Sequence, residues 1–389
     1  MAEERLHPDE INHVESRAQT EHKLEVMRRY YPSYASIIAQ SKNQTIDNRH
    51  IWLVDLFAGA GLHRSADHPD GRVLGTALQA CAAARDVQHR YPRSRVHVRL
   101  VDLSGSYCDR LRERVEVFRQ QGVDVVVSES DYALAIVPIL TEIAACGKNC
   151  LSLWLVDPHG PKVLAFKSIM PLMQAPGAEI IINLDVTGVE RMRGFVLSEK
   201  VNGDPRQAEI AKKQRQNLDD LYRGNFWENP DAHIHIRAGM TLEAKLADAY
   251  LLAFRMFKYQ HAYPLRSSDS QFRYLIHLTK SARGEAAFQK AYDASWKIGS
   301  AKGRTLTDSD CARYCVLFFT AYAGMETTVE EIYGDTVADL DRGQIGRVLR
   351  YASNNDYGSL EGTTMTWSTE RRDAWSLPSL EDDEQPRLF

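Results

Sequence analysis

No phosphate-binding loop can be found in this sequence of 389 residues. A GxxxxGK[ST] run is absent. The pair Gly59 and Gly61 does not extend to GxGxxG, because the third position beyond Gly61 is Arg64. The first absence excludes a P-loop nucleotidase, and the second argues against a dinucleotide-binding oxidoreductase. No uninterrupted apolar run approaches a membrane span, and the opening MAEERLHPDE is too polar and acidic for a secretory signal. A cytoplasmic protein with no membrane partner is expected. Cysteine is scarce: Cys81, Cys108, Cys146, Cys150, Cys311 and Cys315 are the full set. In so long a chain without a signal they suggest reduced thiols rather than a disulfide framework. An excess of one charge is missing too. At a net charge of −4 no global basic field draws nucleic acid, so any such contact needs a local patch.

What is present is an ordinary globular composition, 44% hydrophobic and 26% charged, in a chain long enough for two domains. The stretch Ile51 to Gly61, IWLVDLFAGAG, organises it. Ile51, Leu53, Val54, Leu56 and Phe57, with Trp52 among them, read as a strand buried on both faces of a parallel sheet. Asp55 interrupts the strand near its carboxyl end. Ala58-Gly59-Ala60-Gly61 then supplies small residues where the backbone must turn and a ligand can approach it. The pattern DxFxGxG resembles the S-adenosylmethionine loop of class I, Rossmann-like methyltransferases. The resemblance implies cofactor contacts from Asp55, Phe57, Ala58, Gly59 and Gly61.

Upstream, Leu24, Met27, Tyr31, Tyr34 and Ile38 recur at steps of three and four, one face of a helix that Pro32 should break or kink. Residues 62–75 hold His63, Asp67, His68, Pro69 and Asp70 without periodicity, which predicts a long loop of lid or substrate-binding type. Thr76 and Gln79 fit a capping box at the start of a helix to about Arg90. Strands are predicted at Arg95–Val101, Val123–Val127, Leu151–Val156 and Glu179–Leu184, with helices at Tyr107–Gln121 and Tyr132–Ala145 between them. A long helix is expected over Thr241–Tyr259. Ala262–Arg266 and Gln271–Thr279 then read as strand, turn, strand. Five parallel strands closed by an antiparallel hairpin give an α/β fold: the seven-stranded sheet of a class I methyltransferase.

By that resemblance, Asp102 at the end of the second strand would hold the ribose hydroxyls, as a carboxylate suits a vicinal diol. Its other reading is a helix cap, although Ser104 and Ser106 can serve there. Asp131 would contact adenine, or cap the following helix, or both. Asp157-Pro158-His159-Gly160 sits where amino-methyltransferases carry [DN]PP[YF]. Asp157 and Pro158 match that motif, while His159 and Gly160 do not. Asp157 is thus a candidate to hold an acceptor, with Pro158 beside the substrate. His159 is a candidate base or contact to an acidic group. A plain turn is the alternative for this tetrapeptide.

Lys212, Lys213 and Arg215 lie near Tyr222, Phe226 and Trp227, so basic groups are interleaved with aromatics as nucleic-acid binding requires. A solvated helix is the alternative. Cys146/Cys150 and Cys311/Cys315 each have CxxxC spacing, which can serve zinc. Cys311, Cys315, Phe318 and Phe319, however, form an apolar helical face on which cysteine is a small core residue, and no metal is expected.

An ordered set of segments resembles the three-Cys-motif partner (TcmP) family. These are Thr20-Glu21-His22-Lys23-Leu24 with Arg29-Tyr30-Tyr31, DLFAGAG at 55–61, Gly75-Thr76-Ala77, VDPHG at 156–160, Ile182-Asn183, and Arg273-Tyr274-Leu275-Ile276 into Lys280 and Gly284. Residues 20–300 are covered. The departures are His159, where an aromatic is usual, and Thr76, where serine is common. The resemblance implies a methyltransferase-like protein whose partner carries a three-cysteine, iron–sulfur-like motif.

The expected organisation is a helical segment over 1–50 and a methyltransferase-like domain over 51–300 with an insertion at about 187–240. A small domain over 305–378 and a disordered tail over 379–389 complete it. In the small domain two short helices and a hairpin have the order of a winged helix, with Gln344, Arg347 and Arg350 facing a groove. The function expected from all this is S-adenosylmethionine-dependent methylation of RNA or DNA, at a base amino group. The alternative is a methyltransferase-like scaffold that binds cofactor or partner without methylating.

Overall fold

A computed structural model describes residues 18–40, 49–64, 72–147, 150–158, 160–161, 164–175, 177–198, 205–236, 240–265, 272–296, Cys311, Cys315, 325–334, 342–355 and 357–368. They fall into two compact units, one running to residue 292 except for 236–241, the other holding those six residues and the chain from 293.

Strands β1 (Arg49–Asp55), β4 (Ser94–Asp102), β5 (Asp124–Glu129), β6 (Cys150–Val156) and β7 (Ala178–Asp185) pair in parallel in the first unit. β8 (Tyr259–Pro264) and β9 (Arg273–Thr279) close the sheet in the order β5-β4-β1-β6-β7-β9-β8, with β9 antiparallel to both neighbours. This is the expected seven-stranded sheet with its terminal hairpin. The middle strands are continuously apolar because helices cover both their faces. Ile51, Leu53, Leu153, Trp154, Ile180 and Ile181 are fully buried. Each such side chain contributes about 1.5–3 kcal/mol relative to an exposed position.

The crossovers are α2 (Thr76–Arg90), α3 (Gly105–Gln120), α4 (Tyr132–Ala145) and α5 (Phe166–Gln174). Ser104 caps α3 by accepting from the Tyr107 amide, and Asp131 caps α4 by accepting from the Ala133 amide. Helices α6 (Val186–Val196), α7 (Pro205–Tyr222) and α8 (Leu242–Leu251) lead to the hairpin, and α9 (Ala282–Trp296) follows it. Where β7 meets β9, Glu179 accepts from the Tyr30 hydroxyl, from Thr279 Oγ1 at 2.8 Å and from His277 Nε2 at 2.9 Å. His277 Nδ1 lies 3.2 Å from Glu285 Oε2, so the fully buried ring sits between two carboxylates. Burial opposes its charge, but the carboxylates prevail and raise its pKa.

Several expectations need correction. Pro32 does not break the first helix. α1 (Ala18–Ala39) runs through it, and the Ser33 hydroxyl donates to the Arg29 carbonyl beside the proline. Residues 62–74 are not a featureless loop: β2 (Leu62–Arg64) and β3 (Arg72–Leu74) pair as an antiparallel ribbon. Thr76 is no cap residue. Gly75 takes that position without a side-chain bond, and the Thr76 hydroxyl points to Asp55. The long helix expected to Tyr259 ends at Leu251, where the chain tightens into a 3₁₀ turn, Leu252–Phe254, before β8.

In the second unit β10 (Glu326–Thr328), β11 (Gly358–Glu361) and β12 (Thr364–Trp367) form a sheet in the order β10-β12-β11. Helices Val329–Gly334 and Arg342–Asn354 accompany it. Cys311 and Cys315 are buried there with Ile345, Val348, Leu349, Met365 and Trp367. Gln344 is buried rather than presented to a groove, and Arg347 is half-buried, while Arg350 is exposed. The expected boundary between the two domains, at 300–305, lies outside the described residues. So does the expected tail at 379–389.

Candidate functional site

The carboxyl ends of β1, β4 and β6 meet where the strand order reverses, the position at which open parallel sheets bind ligands. The turn after β1 is fastened to both neighbouring strands. The Leu56 amide donates to the Leu155 carbonyl of β6 at 3.0 Å, and the Ala58 amide to the Val101 carbonyl of β4 at 2.9 Å. Gly59 takes φ = +57°, and a Cβ built there would meet nothing within 4 Å among the described residues, so the turn is open at this point. Gly61, at φ = +84°, is instead packed tightly: a Cβ would come within 2.8 Å of Leu111 Cδ1.

Asp102 fixes the turn from the second strand. Its Oδ2 accepts from the Gly59 amide at 2.9 Å and its Oδ1 from the Ser104 amide at 2.9 Å. Its carboxylate therefore lies against the glycine turn, while Ser104 caps α3. Asp131 sits past the end of β5 as the α4 cap. Phe57 is half-buried and packs against Tyr132 with ring centroids 5.0 Å apart, next to Asp131 in the chain.

Asp55 is fully buried under this turn. It accepts from the Thr76 hydroxyl at 2.6 Å and the Phe57 amide at 3.1 Å. Burial nevertheless pushes the carboxyl up to about 6, and the negative charge of Asp157 adds to the rise. Asp55 thus holds the turn and the start of α2 together from inside.

Asp157 follows β6 and is largely buried, as is Pro158. It forms an ion pair with Lys23 of α1 and accepts from Asn183 Nδ2 of β7 at 2.6 Å. Burial pushes its pKa up, but the ammonium and the amide outweigh that and hold it below the usual carboxylate value. Two polar atoms near these acids are buried with no partner among the described residues, Tyr31 Oη and Asn183 Oδ1. Tyr31 feels the charges of both Asp55 and Asp157, which with burial raise its hydroxyl well above the ordinary value. Orphaned buried polar groups are costly unless a ligand or water meets them. His159 lies outside the described residues.

Sequence reasoning missed Lys23, Thr76 and Tyr31 as parts of this site. Lys23 had a signal: it stands four residues before Met27 and eight before Tyr31, so it shares their buried stripe. A lysine on such a stripe needs a carboxylate partner. The other candidates lie on other elements. Lys212 and Lys213 are exposed on α7, whereas Arg215 pairs with Glu228 and stacks on Trp227. Tyr222 and Trp227 are fully buried, so neither ring is free to stack on a base. Arg347 belongs to the second unit.

No protein-family model matches the chain, and no curated protein matches it. Solved structures do. The assigned methyltransferase yhhF of Escherichia coli is 12% identical with a TM-score of 0.26, over 59% of this chain and 78% of its own. The precorrin-6y C5,15-methyltransferase of Geobacter metallireducens is 8% identical at 0.23, over 64% and 87%. An O-methyltransferase of Brevibacillus brevis, solved with S-adenosyl-L-homocysteine, is 9% identical at 0.23, over 71% and 86%. At these scores the likeness decides nothing.

Proposed function

We propose that the first unit binds S-adenosylmethionine and acts as a methyltransferase. The observation that carries this reading is the glycine turn after β1: Gly59 opens onto free space while Asp102 of the next strand reaches its amide. The fit is supported by the unpartnered Tyr31 and Asn183 oxygens, which offer polar contacts at the same end of the sheet. Phe57, Ala58, Gly59 and Asp102 would hold the cofactor, with Asp131 at the edge of the site, while Asp55 and Gly61 would shape the turn from beneath. The cofactor supplies a sulfonium-bound methyl group. The chain's own residues align the acceptor with it. Asp157 and Pro158 would seat that acceptor, with His159 as the base.

The acceptor we propose is an amino group of a nucleic-acid base, on the strength of the Asp157-Pro158 pair and of a second unit whose helices and three-stranded sheet we read as a winged helix. One observation favours a second reading, a scaffold for a three-cysteine-motif partner. Lys23 already neutralises Asp157, and a carboxylate so engaged is a weaker hydrogen-bond acceptor for a substrate.

Calorimetric titration with S-adenosylmethionine, S-adenosylhomocysteine and NAD tests the cofactor. Micromolar binding of the first two is expected, lost in Gly59→Arg, whose side chain fills the open turn. No binding by the wild-type chain sinks the reading. Radiolabelled methyl transfer to RNA and DNA then separates enzyme from scaffold. The enzyme loses transfer in Asp157→Asn and keeps its affinity for the cofactor; a scaffold transfers nothing even as wild type.

A further inference from the structure

We propose a zinc site at the opposite, amino-terminal edge of the same sheet, formed by His50, His97 and Cys146. The ligating atoms of these three half-buried residues all lie within 4.8 Å of one another. They come from three elements: the start of β1, the middle of β4 and the residue that ends α4. The parallel register explains the meeting. His97 pairs with Trp52 of β1, two residues along from His50, so both histidines share one face of the sheet. Cys150 opens β6 directly beside His50, which brings the α4–β6 corner and its Cys146 to the same face.

The hydrogen bonding prepares His97 as a ligand. Its Nδ1 lies 2.5 Å from Asp124 Oδ2, and its Nε2 lies 2.8 Å from His50 Nδ1 across rings only 9° from coplanar. With Nδ1–H donating to the carboxylate, Nε2 carries a lone pair and accepts the His50 proton. A carboxylate behind the far nitrogen of a histidine is the usual support of a metal-bound imidazole. The stack of Trp52 on His97, with centroids 4.3 Å apart, fixes that ring further. Zinc would displace the proton shared by the two rings, which moves to His50 Nε2, and the Cys146 thiol proton, which is released.

Bond lengths of 2.0–2.3 Å require ligand atoms about 3.3–3.6 Å apart in a tetrahedral site. The histidines must therefore open by about half an ångström, and half-exposed His50 is the ring that gives. Two imidazoles and a thiolate suit zinc rather than magnesium or calcium, which take oxygen ligands. The CxxxC spacing alone pointed to four cysteines. The fold leaves Cys311 and Cys315 in an apolar core of the second unit and gives Cys146 two histidines instead.

Titration of the metal-free full chain with cobalt(II), followed by zinc displacement, tests the site. The expected result is one metal per chain with a thiolate-to-cobalt charge-transfer band, and loss of that band in Cys146→Ser and in His97→Ala. Asp124→Asn should keep the band and weaken binding 10–100-fold. Absence of the band in the wild type overturns the proposal. So does an unchanged band in Cys146→Ser, a half-exposed position where serine leaves the metal-free melting curve in place as the control for folding.

Discussion

Asp55 shows how one residue can serve a binding turn at a cost in stability. Its carboxyl is raised by burial to about 6, against an ordinary value of 3.8. The folded state then binds a proton more tightly than the unfolded chain. Stability from this group is fully present below pH 3.8 and is lost as the pH rises through 6. Asp55→Asn should remove that slope, so the difference in urea midpoint between variant and wild type should grow in favour of asparagine between pH 4 and pH 7. A difference that stays flat over this range contradicts the buried, ionising carboxyl. The sequence announced Asp55 as one acid in an apolar run. It gave no hint that Thr76, predicted to cap α2, would turn inward as a donor, because a threonine before a helix fits either role.

At the scale of elements, β9 and α1 meet over β7 at a buried charge cluster. Burial disfavours the charged form of His277, but Glu179 and Glu285 outweigh it and raise its pKa. Its contribution to stability is fully present below pH 6.5 and is lost as the pH climbs through the higher folded-state value. Thermal melting from pH 6 upward should therefore show a decline on the alkaline side that His277→Gln lacks. A wild-type curve parallel to that of the variant would refute the charged ring. The strands and the crossover helices α2, α3 and α4 were legible because they are long, and the hairpin β8–β9 was read from its strand, turn, strand order; the nine-residue α5 was not read. The ribbon β2–β3 was not legible. With three residues in each strand it has no period to detect, and polar residues fill the stretch between. Likewise, the basic and aromatic run along α7 and just beyond it could not reveal from composition which rings face inward. Tyr222 bonds to the Leu246 carbonyl and Trp227 to Asp219, contacts set by the packing of α8 and the turn.

For the whole molecule, the two proposed sites lie at opposite ends of the sheet. From His50 to Asp55 the strand rises about 17 Å at roughly 3.3 Å per residue. Substitutions so far apart with no shared partner should add within about 0.5 kcal/mol. Cys146→Ser should thus leave S-adenosylmethionine affinity unchanged, and Gly59→Arg should leave cobalt uptake unchanged. Calorimetry and absorption on the double variant check both, and coupling beyond that margin would mean that the ends communicate through β1. Fold class was readable at this scale because five strands, their crossovers and a closing hairpin occur in one order. The site's charge balance was not, because it joins residues far apart in the chain.

That separation has a consequence for synthesis. Lys23 and Asp157 are 134 residues apart. At roughly 5–20 residues per second, the lysine leaves the ribosome on the order of ten seconds before its carboxylate exists. Until then the ammonium on the apolar stripe of α1 lacks the carboxylate it pairs with, although α2 and β1 are already made for the helix to pack against. α1 can therefore pack early on α2, while the charge pair that completes this end of the sheet forms late, once Asp157 and Asn183 have followed.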